Sequence, residues 1–309
     1  MTNFQHFGLY FTHEHVQNAR KNQEREPFQA AWAYLSKQDI QPGTLAAIQW
    51  NGLRYRFDEN APAGEQAVID LQTGIGLDVD GSQSDFDALA AAITLAQCFE
   101  LVRDHPAWTP GAKNAWSGRF AGLGDFLNRQ PETITLVERI WIGLLNVAVG
   151  IVLEDETRLQ AGADVYRQVI DHEIRPEGYL PLAVEGDDGG SLWRQMLAVG
   201  GLVLTAEAAS HVGLDLWNYT SRGISVVTAA SYLIYYYYYS DQWRWDTLVE
   251  ADAKQLFKEH GAFLEIVNYH ARPKEIKLLF DDLRPFYNLT GGGLTTLSHA
   301  LAARRGLFR

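Results

Sequence analysis

A single cysteine, Cys98, in 309 residues excludes an intrachain disulfide and any thiolate metal cluster. Basic residues are also scarce: 26 Lys and Arg against 38 Asp and Glu leave a formal net charge of −12. That balance argues against nucleic acid as a partner, because displacing phosphate counterions takes basic surface. No stretch reaches the roughly 18 to 20 uninterrupted apolar residues of a membrane span, so no membrane is expected as a partner. The opening "MTNFQHFGLYFTHEHV" lacks the charged and apolar regions of a secretory signal. A cytoplasmic location is therefore expected for the chain as written, or a periplasmic or secreted one if a signal has been removed. Alternating β-branched runs between hairpin turns are nearly absent. No fixed period of 20 to 50 residues marks a regular solenoid, and there is neither a G-x-S-x-G elbow nor a phosphate-binding glycine loop.

What remains is ordinary globular material, 47% hydrophobic and 21% charged, with enough apolar side chain for a sizeable core. "HEHVQNARKNQEREPFQAAWAYLSKQ" predicts two helices split near Pro27, since proline starts helices but does not continue them. Residues 51–84 are rich in Gly and Asp without a clear period, and predict a long irregular loop inserted in a single domain spanning 1–309. From Ser84 onward helix follows helix with short Gly/Pro breaks, the pattern of antiparallel hairpins. Segments 140–153 and 195–206 are apolar on nearly every side, so each must be covered on more than one face. Two concentric layers of helices supply that cover, which predicts an all-α chain in an α/α toroid, an incomplete double-layered helical barrel.

The run Tyr235–Tyr239 is the most unusual local feature. As a helix, five consecutive residues sweep about 400°, so they cover every face and cannot form a one-sided platform. Most should pack between layers with their hydroxyls bonded or hydrated, and one or two, Tyr237 among them, could face a central cleft.

"VYRQVIDHEIRPEGYLPLAVEGDDGGSLWRQMLAVGGLVLTAEAASHVGLDLWNY" resembles the central part of the alginate lyase-like superfamily of polysaccharide lyases. "FGLYFTHEHVQNAR" is similar to the family opening, "RPFYNLTGGGLTTLSHAL" to a stretch near its end, and "VERIWIGLLNVAVGIVLEDE" to the helix after its Asn-Asn-His-x-x-Trp motif. The resemblance implies an α/α toroid and β-elimination on a uronic-acid polysaccharide. In that reaction a base takes the proton beside the carboxylate, an acid protonates the leaving glycosidic oxygen, and the carboxylate is neutralised first. The partner implied is an acidic oligo- or polysaccharide, and no cofactor is expected. The motif positions differ, however. Anchored on Trp141, Glu138 stands at the family histidine, with Leu136 and Val137 at its asparagines. The stretch Gly190–Leu197 has no tyrosine where the family carries Arg, His-Tyr, then Tyr or Phe. Three readings stay open: a lyase with a rearranged site, a glycoside hydrolase built on Glu138 with Asp187 or Asp188, and a non-catalytic saccharide-binding relative.

The candidate residues each have a structural alternative. Glu138 is either a cleft carboxyl with a raised pKa or half of an interhelical ion pair. Arg194, with Trp193 and Gln195 after the flexible "EGDDGG", either grips a uronate carboxylate at a helix start or pairs with Asp187 and Asp188. Tyr179 in "EGYLP" either replaces the missing tyrosine or simply packs. Trp141 is a candidate substrate contact beside them. Asn114, Trp116 and Arg119 lie on one helix, where Trp116 and Arg119 at i, i+3 could offer a ring and a charge to one sugar. No metal is assigned: His13 and His15 point roughly 200° apart on a helix, and "DVDGSQSDFDAL" lacks the closing glutamate of a calcium loop.

Overall fold

The computed structural model describes residues 4–37, 40–77, 85–128, 134–186 and 188–302. The chain opens with α1 (His13–Lys21) and α2 (Phe28–Lys37), on either side of Pro27 as expected. Then come three hairpins, each an inner helix and a mate: α3 (Leu45–Asp58) with α4 (Ala61–Thr73), α5 (Asp85–Val102) with α6 (Pro110–Leu127), and α7 (Leu136–Leu153) with α8 (Glu156–His172). The short α9 (Pro181–Val184) leads into α10 (Ser191–Ser210), followed by α11 (Val226–Tyr238) and α12 (Glu250–His260). Helices α13 (Phe263–Ala271), α14 (Ile276–Leu283) and α15 (Thr295–His299) complete the order. Among the described residues there is no strand, only isolated bridges at Ser221–Ile224 and Asn288–Gly293.

The inner wall runs α3, α5, α7, α10, each packed on the next. These helices are buried nearly all round: in α7 the sequence from Ile140 to Val152 has no exposed residue, and α10 hides everything from Gln195 to Ala209. By length and hydropathy α7 matches a membrane span, yet 83% of it lies inside the fold. Its apolarity is explained by cover from α5, α8 and α10. Helices α7 and α8 cross backbone to backbone. A Cβ on Gly162 would stand 2.4 Å from the Gly143 carbonyl oxygen, so only glycine permits the approach.

The expected loop over 51–84 is corrected. Residues 51–58 belong to α3 and 61–73 to α4, and 78–84 lie outside the described residues. Asn60 caps α4 by accepting from the Ala63 N–H at 3.0 Å, Pro62 sits in its first turn, and Gly74 ends it in the left-handed region. Helix α3 hides its helical nature because Gln49, Trp50, Gly52, Leu53 and Arg56 are all buried, leaving no polar face to set a period.

The tyrosine run is the end of α11, with Tyr239 as its C-cap. Tyr237 is buried, donates to Asp282 at 2.7 Å and packs its ring edge-on to Phe257. It lies between α11, α12 and α14, so the expected cleft-facing role of Tyr237 is corrected to a structural one. Tyr235 and Tyr239, four apart, are exposed with their rings 4.8 Å from each other.

Candidate active site

The site is built around the start of α10. The Asp246 carboxylate accepts from the Ser191 N–H at 2.8 Å and from the Ser191 hydroxyl, capping the helix from a distant segment. The Trp243 indole donates to Ser191 Oγ at 2.8 Å. Residues 243–246 are thereby fixed against α10. From the other side, Gln195, fully buried on α10, clamps the loop before α9. Its Nε2 donates to the Gly178 carbonyl at 3.1 Å and its Oε1 accepts from the Leu180 N–H at 3.0 Å. Both bonds go to the residues flanking Tyr179. Gly178 adopts φ 109°, and a Cβ there would meet the Thr228 carbonyl and Tyr232 at 2.6 Å, so glycine lets the loop lie flat on α11.

These constraints bring four side chains together. Tyr179 stands 5.1 Å from the Trp245 ring and 5.9 Å from Tyr232, and Trp245 Nε1 donates to the Tyr232 hydroxyl at 3.4 Å. The Arg244 guanidinium lies over both Tyr179 (4.8 Å) and Trp245 (4.6 Å). It is exposed, and among the described residues no carboxylate pairs with it. Stacking leaves the N–H edge of the guanidinium free for a planar anion. Burial pushes the Tyr232 phenol up, its bond with Tyr236 adds to that, and Arg244 opposes it.

At the same end of α10, Trp193 is 39% exposed and touches Phe86 and His260, each with centroids 6.5 Å away. Phe86 in turn packs on Trp141 at 4.9 Å. Burial lowers the His260 pKa, with Glu259 opposing. Phe86, Trp193 and His260 thus form an aromatic rim.

The remaining candidates from the sequence are engaged elsewhere. Glu138 is the third residue of a capping box: it accepts from the Thr135 N–H and hydroxyl, both at 2.7 Å, and Thr135 Oγ1 accepts from the Glu138 N–H. Arg139 donates to Glu173 at 2.6 Å. Arg194 donates to both Asp188 oxygens at 2.6 Å and to the Ala183 carbonyl at 2.8 Å, the structural alternative. That contact and the Gly190 N–H hold the Asp188 carboxyl below its ordinary range. Asp187 lies outside the described residues. Trp141 is buried and donates to the Leu197 carbonyl. Trp116 is core, stacked between Phe99 at 4.4 Å and Phe120 at 5.0 Å, whereas Asn114 and Arg119 are exposed on the outer helix α6 and Arg119 packs over Gly74. The shared sugar-binding face expected of Trp116 and Arg119 does not form. Arg244, Trp245 and Tyr232 are not among the residues expected from the sequence. Their signal is "QWRWD", a cation between two indoles next to the tyrosine run.

A second polar cluster occupies the other end of α10. The buried Glu207 carboxylate accepts from Trp217 Nε1 (3.1 Å) and His270 Nε2 (2.7 Å) on Oε2, and faces His299 Nε2 (3.2 Å) and His211 Nε2 (3.1 Å) on Oε1. Burial alone would raise its pKa, but the contacts from His211, His270 and His299 outweigh it and hold the carboxyl well below its usual range. His15 stands beside this group, and its ligating atom, with those of Glu207 and His299, lies within a 4.8 Å span. Burial lowers the His15 pKa to about 3, His299 adding to the effect and Glu207 opposing it.

The double wall of helix hairpins is an all-α toroid, with an aromatic cluster and an exposed arginine at one end of its inner wall. A family profile described as alginate lyase matches residues 67–245, more than half of the chain, and the protein belongs to that family. Among solved structures, alginate lyase A1-III from Sphingomonas species A1 superposes with a TM-score of 0.72 at 18% identity, over 83% of this chain and 75% of that one. A variant of alginate lyase A1-III complexed with tetrasaccharide gives 0.73 at 18% identity, over 84% and 76%. An alginate lyase from Bacteroides ovatus gives 0.62 at 17% identity, over 83% and 73%. A comparison with curated proteins gave no match.

Proposed function

We propose that the protein is a polysaccharide lyase that cleaves a uronate-containing glycan by β-elimination, with Arg244 and Tyr179 at the reacting sugar. The observation that carries this reading is the exposed guanidinium stacked on Tyr179 and Trp245 with no carboxylate partner among the described residues. Elimination beside a carboxylate builds negative charge on that group, and the cost is lowest when a fixed cation already holds it. Arg244 supplies a planar pair of donors for the sugar carboxylate. The Tyr179 hydroxyl makes no hydrogen bond with any described residue, so it is available to take the proton beside that carboxylate and return one to the glycosidic oxygen. Trp193 offers a ring face for a neighbouring sugar. Among the described residues the hydrolytic alternative is not favoured, since Glu138 is held in a helix cap and Asp188 by Arg194.

The test is a panel of polyuronates with ultraviolet detection of the unsaturated product. Tyr179→Phe should lower kcat by about 10²–10⁴-fold, the usual contribution of a positioned acid–base. Arg244→Ala should lower kcat/KM by roughly a hundredfold or more, while Arg194→Ala should retain most activity. A folded protein inactive on every polyuronate would sink the lyase reading.

A further inference from the structure

The Glu207 cluster is some sixteen residues along α10 from Ser191, about 24 Å at 1.5 Å per residue, so it is separate from the candidate active site. Two of its imidazole nitrogens are unusual. His15 Nε2 and His211 Nε2 are both buried, and neither makes a hydrogen bond with any protein group. His211 Nε2 lies 3.1 Å from Glu207 Oε1 but off hydrogen-bonding alignment. Buried polar atoms left this way call for a ligand, an ion or water.

We propose that His15, His299 and Glu207, with His211 beside them, form a binding site for one divalent transition-metal ion of the imidazole-preferring kind, such as Zn²⁺. The ligating atoms of His15, His299 and Glu207 lie within 4.8 Å of one another, and His211, 3.1 Å from Glu207 Oε1, stands where it can supply the fourth ligand such an ion takes. The two carboxylate oxygens have different surroundings. Oε2 is held by Trp217 and His270, which fix its orientation, and Oε1 faces His211 and His299. The His15 ring lies 4.8 Å from that of His299 and 5.9 Å from that of His211. Ligation through Nε2 places each ring proton on Nδ1, and partners stand ready there. Ser298 Oγ is 2.7 Å from His299 Nδ1, and Thr12 Oγ1 is 3.0 Å from His15 Nδ1. In the metal-free ring, His15 Nδ1 instead accepts from the Thr12 N–H at 3.1 Å, so loading exchanges one capping hydrogen bond for a coordination bond.

An entry path exists as well. His211 lines a cavity of about 800 Å³ with Thr12, His13, Glu14 and Ser210. The ligands come from α1, α15 and the C-terminal end of α10, so the ion would tie the first helix to the last. Its role is structural and does not depend on the reaction at the other end.

The full chain, stripped with a chelator and dialysed, should take up one Zn²⁺ with a rise of several degrees in Tm, roughly what saturation well above Kd produces. Co²⁺ should give a visible absorption band. Loss of one ligand should weaken Zn²⁺ by at least about tenfold in His211→Ala and in His15→Gln, with helicity unchanged by circular dichroism. His172→Ala, on α8, is the control and should bind as the parent does. His211 is the ligand least committed to packing, so its variant keeps the test usable if Glu207→Gln fails to fold. Uptake below about a tenth of an equivalent overturns the proposal, as does unaltered affinity in the His15→Gln/His211→Ala double variant.

Discussion

Gln195 shows how one buried side chain can matter to a site it never faces. Its amide bonds the backbone on either side of Tyr179, at Gly178 and Leu180, and it is wholly enclosed. Alanine there would strand a buried carbonyl and a buried N–H, at about 1–3 kcal/mol for each unsatisfied group. Gln195→Ala is therefore expected to lose roughly 2–4 kcal/mol in denaturant unfolding. It should also lower kcat well beyond what the stability loss explains, because the Tyr179 loop is freed. A variant with reduced stability but wild-type kcat would show that the clamp does not set the tyrosine. No local pattern announces this role: Gln195 follows an exposed tryptophan and an arginine, and only the turn of α10 sends it inward.

At the scale of the element, α7 shows why a motif position can mislead. Glu138 stands where the relatives' histidine falls by spacing, yet the position is also the third residue after Thr135, and the cap takes the side chain. A capping box accepts glutamine as readily as glutamate. Glu138→Gln should therefore change stability by no more than about 0.5 kcal/mol and leave turnover intact, whereas Thr135→Ala should cost about 1 kcal/mol. Thermal unfolding and the elimination assay together decide it; a large loss of kcat in Glu138→Gln at unchanged Tm would return the residue to the chemistry. The signature "TLVE" is legible in the amino-acid order alone, and so are the helices from α5 onward, whereas α4 is hidden in the expected 51–84 loop despite its Pro and Gly boundaries. Helix α3 is not legible either, because burial on all sides erases the polar stripe that reveals a helix. The site divides in the same way. Tyr179 stands out by its place on a loop, but Tyr232 joins it through the close approach of Gly178 to α11, and Arg244 through the capping of α10 by Asp246.

At the scale of the molecule, the histidines carry the least local signal and the widest reach. His15, Glu207, His211, His270 and His299 are spread over most of the chain, so no spacing announces them, yet they meet where α1, α10, α13 and α15 converge. The burial of His15 makes the fold sensitive to acid in a defined window. The His15 pKa falls from 6.5 to about 3 on folding. Above pH 6.5 the ring is neutral in both states and costs nothing. As pH falls through 6.5 the unfolded chain takes up a proton that the folded one refuses, so stability is lost progressively until about pH 3. For metal-free protein the loss from this group between about pH 7.5 and about pH 5 is roughly 2 kcal/mol, and the full shift is worth on the order of 5 kcal/mol. Glu207 acts in the same direction but lower, since its carboxyl is held below the usual range and its contribution fades only as pH falls through the carboxylate region. In chelator-treated protein, denaturant unfolding at the two pH values should therefore show a larger drop for the parent chain than for His15→Gln, which has no proton to gain at that position. Equal drops in the two proteins would mean that His15 titrates normally in the folded state, and that the region around Glu207 is open to water.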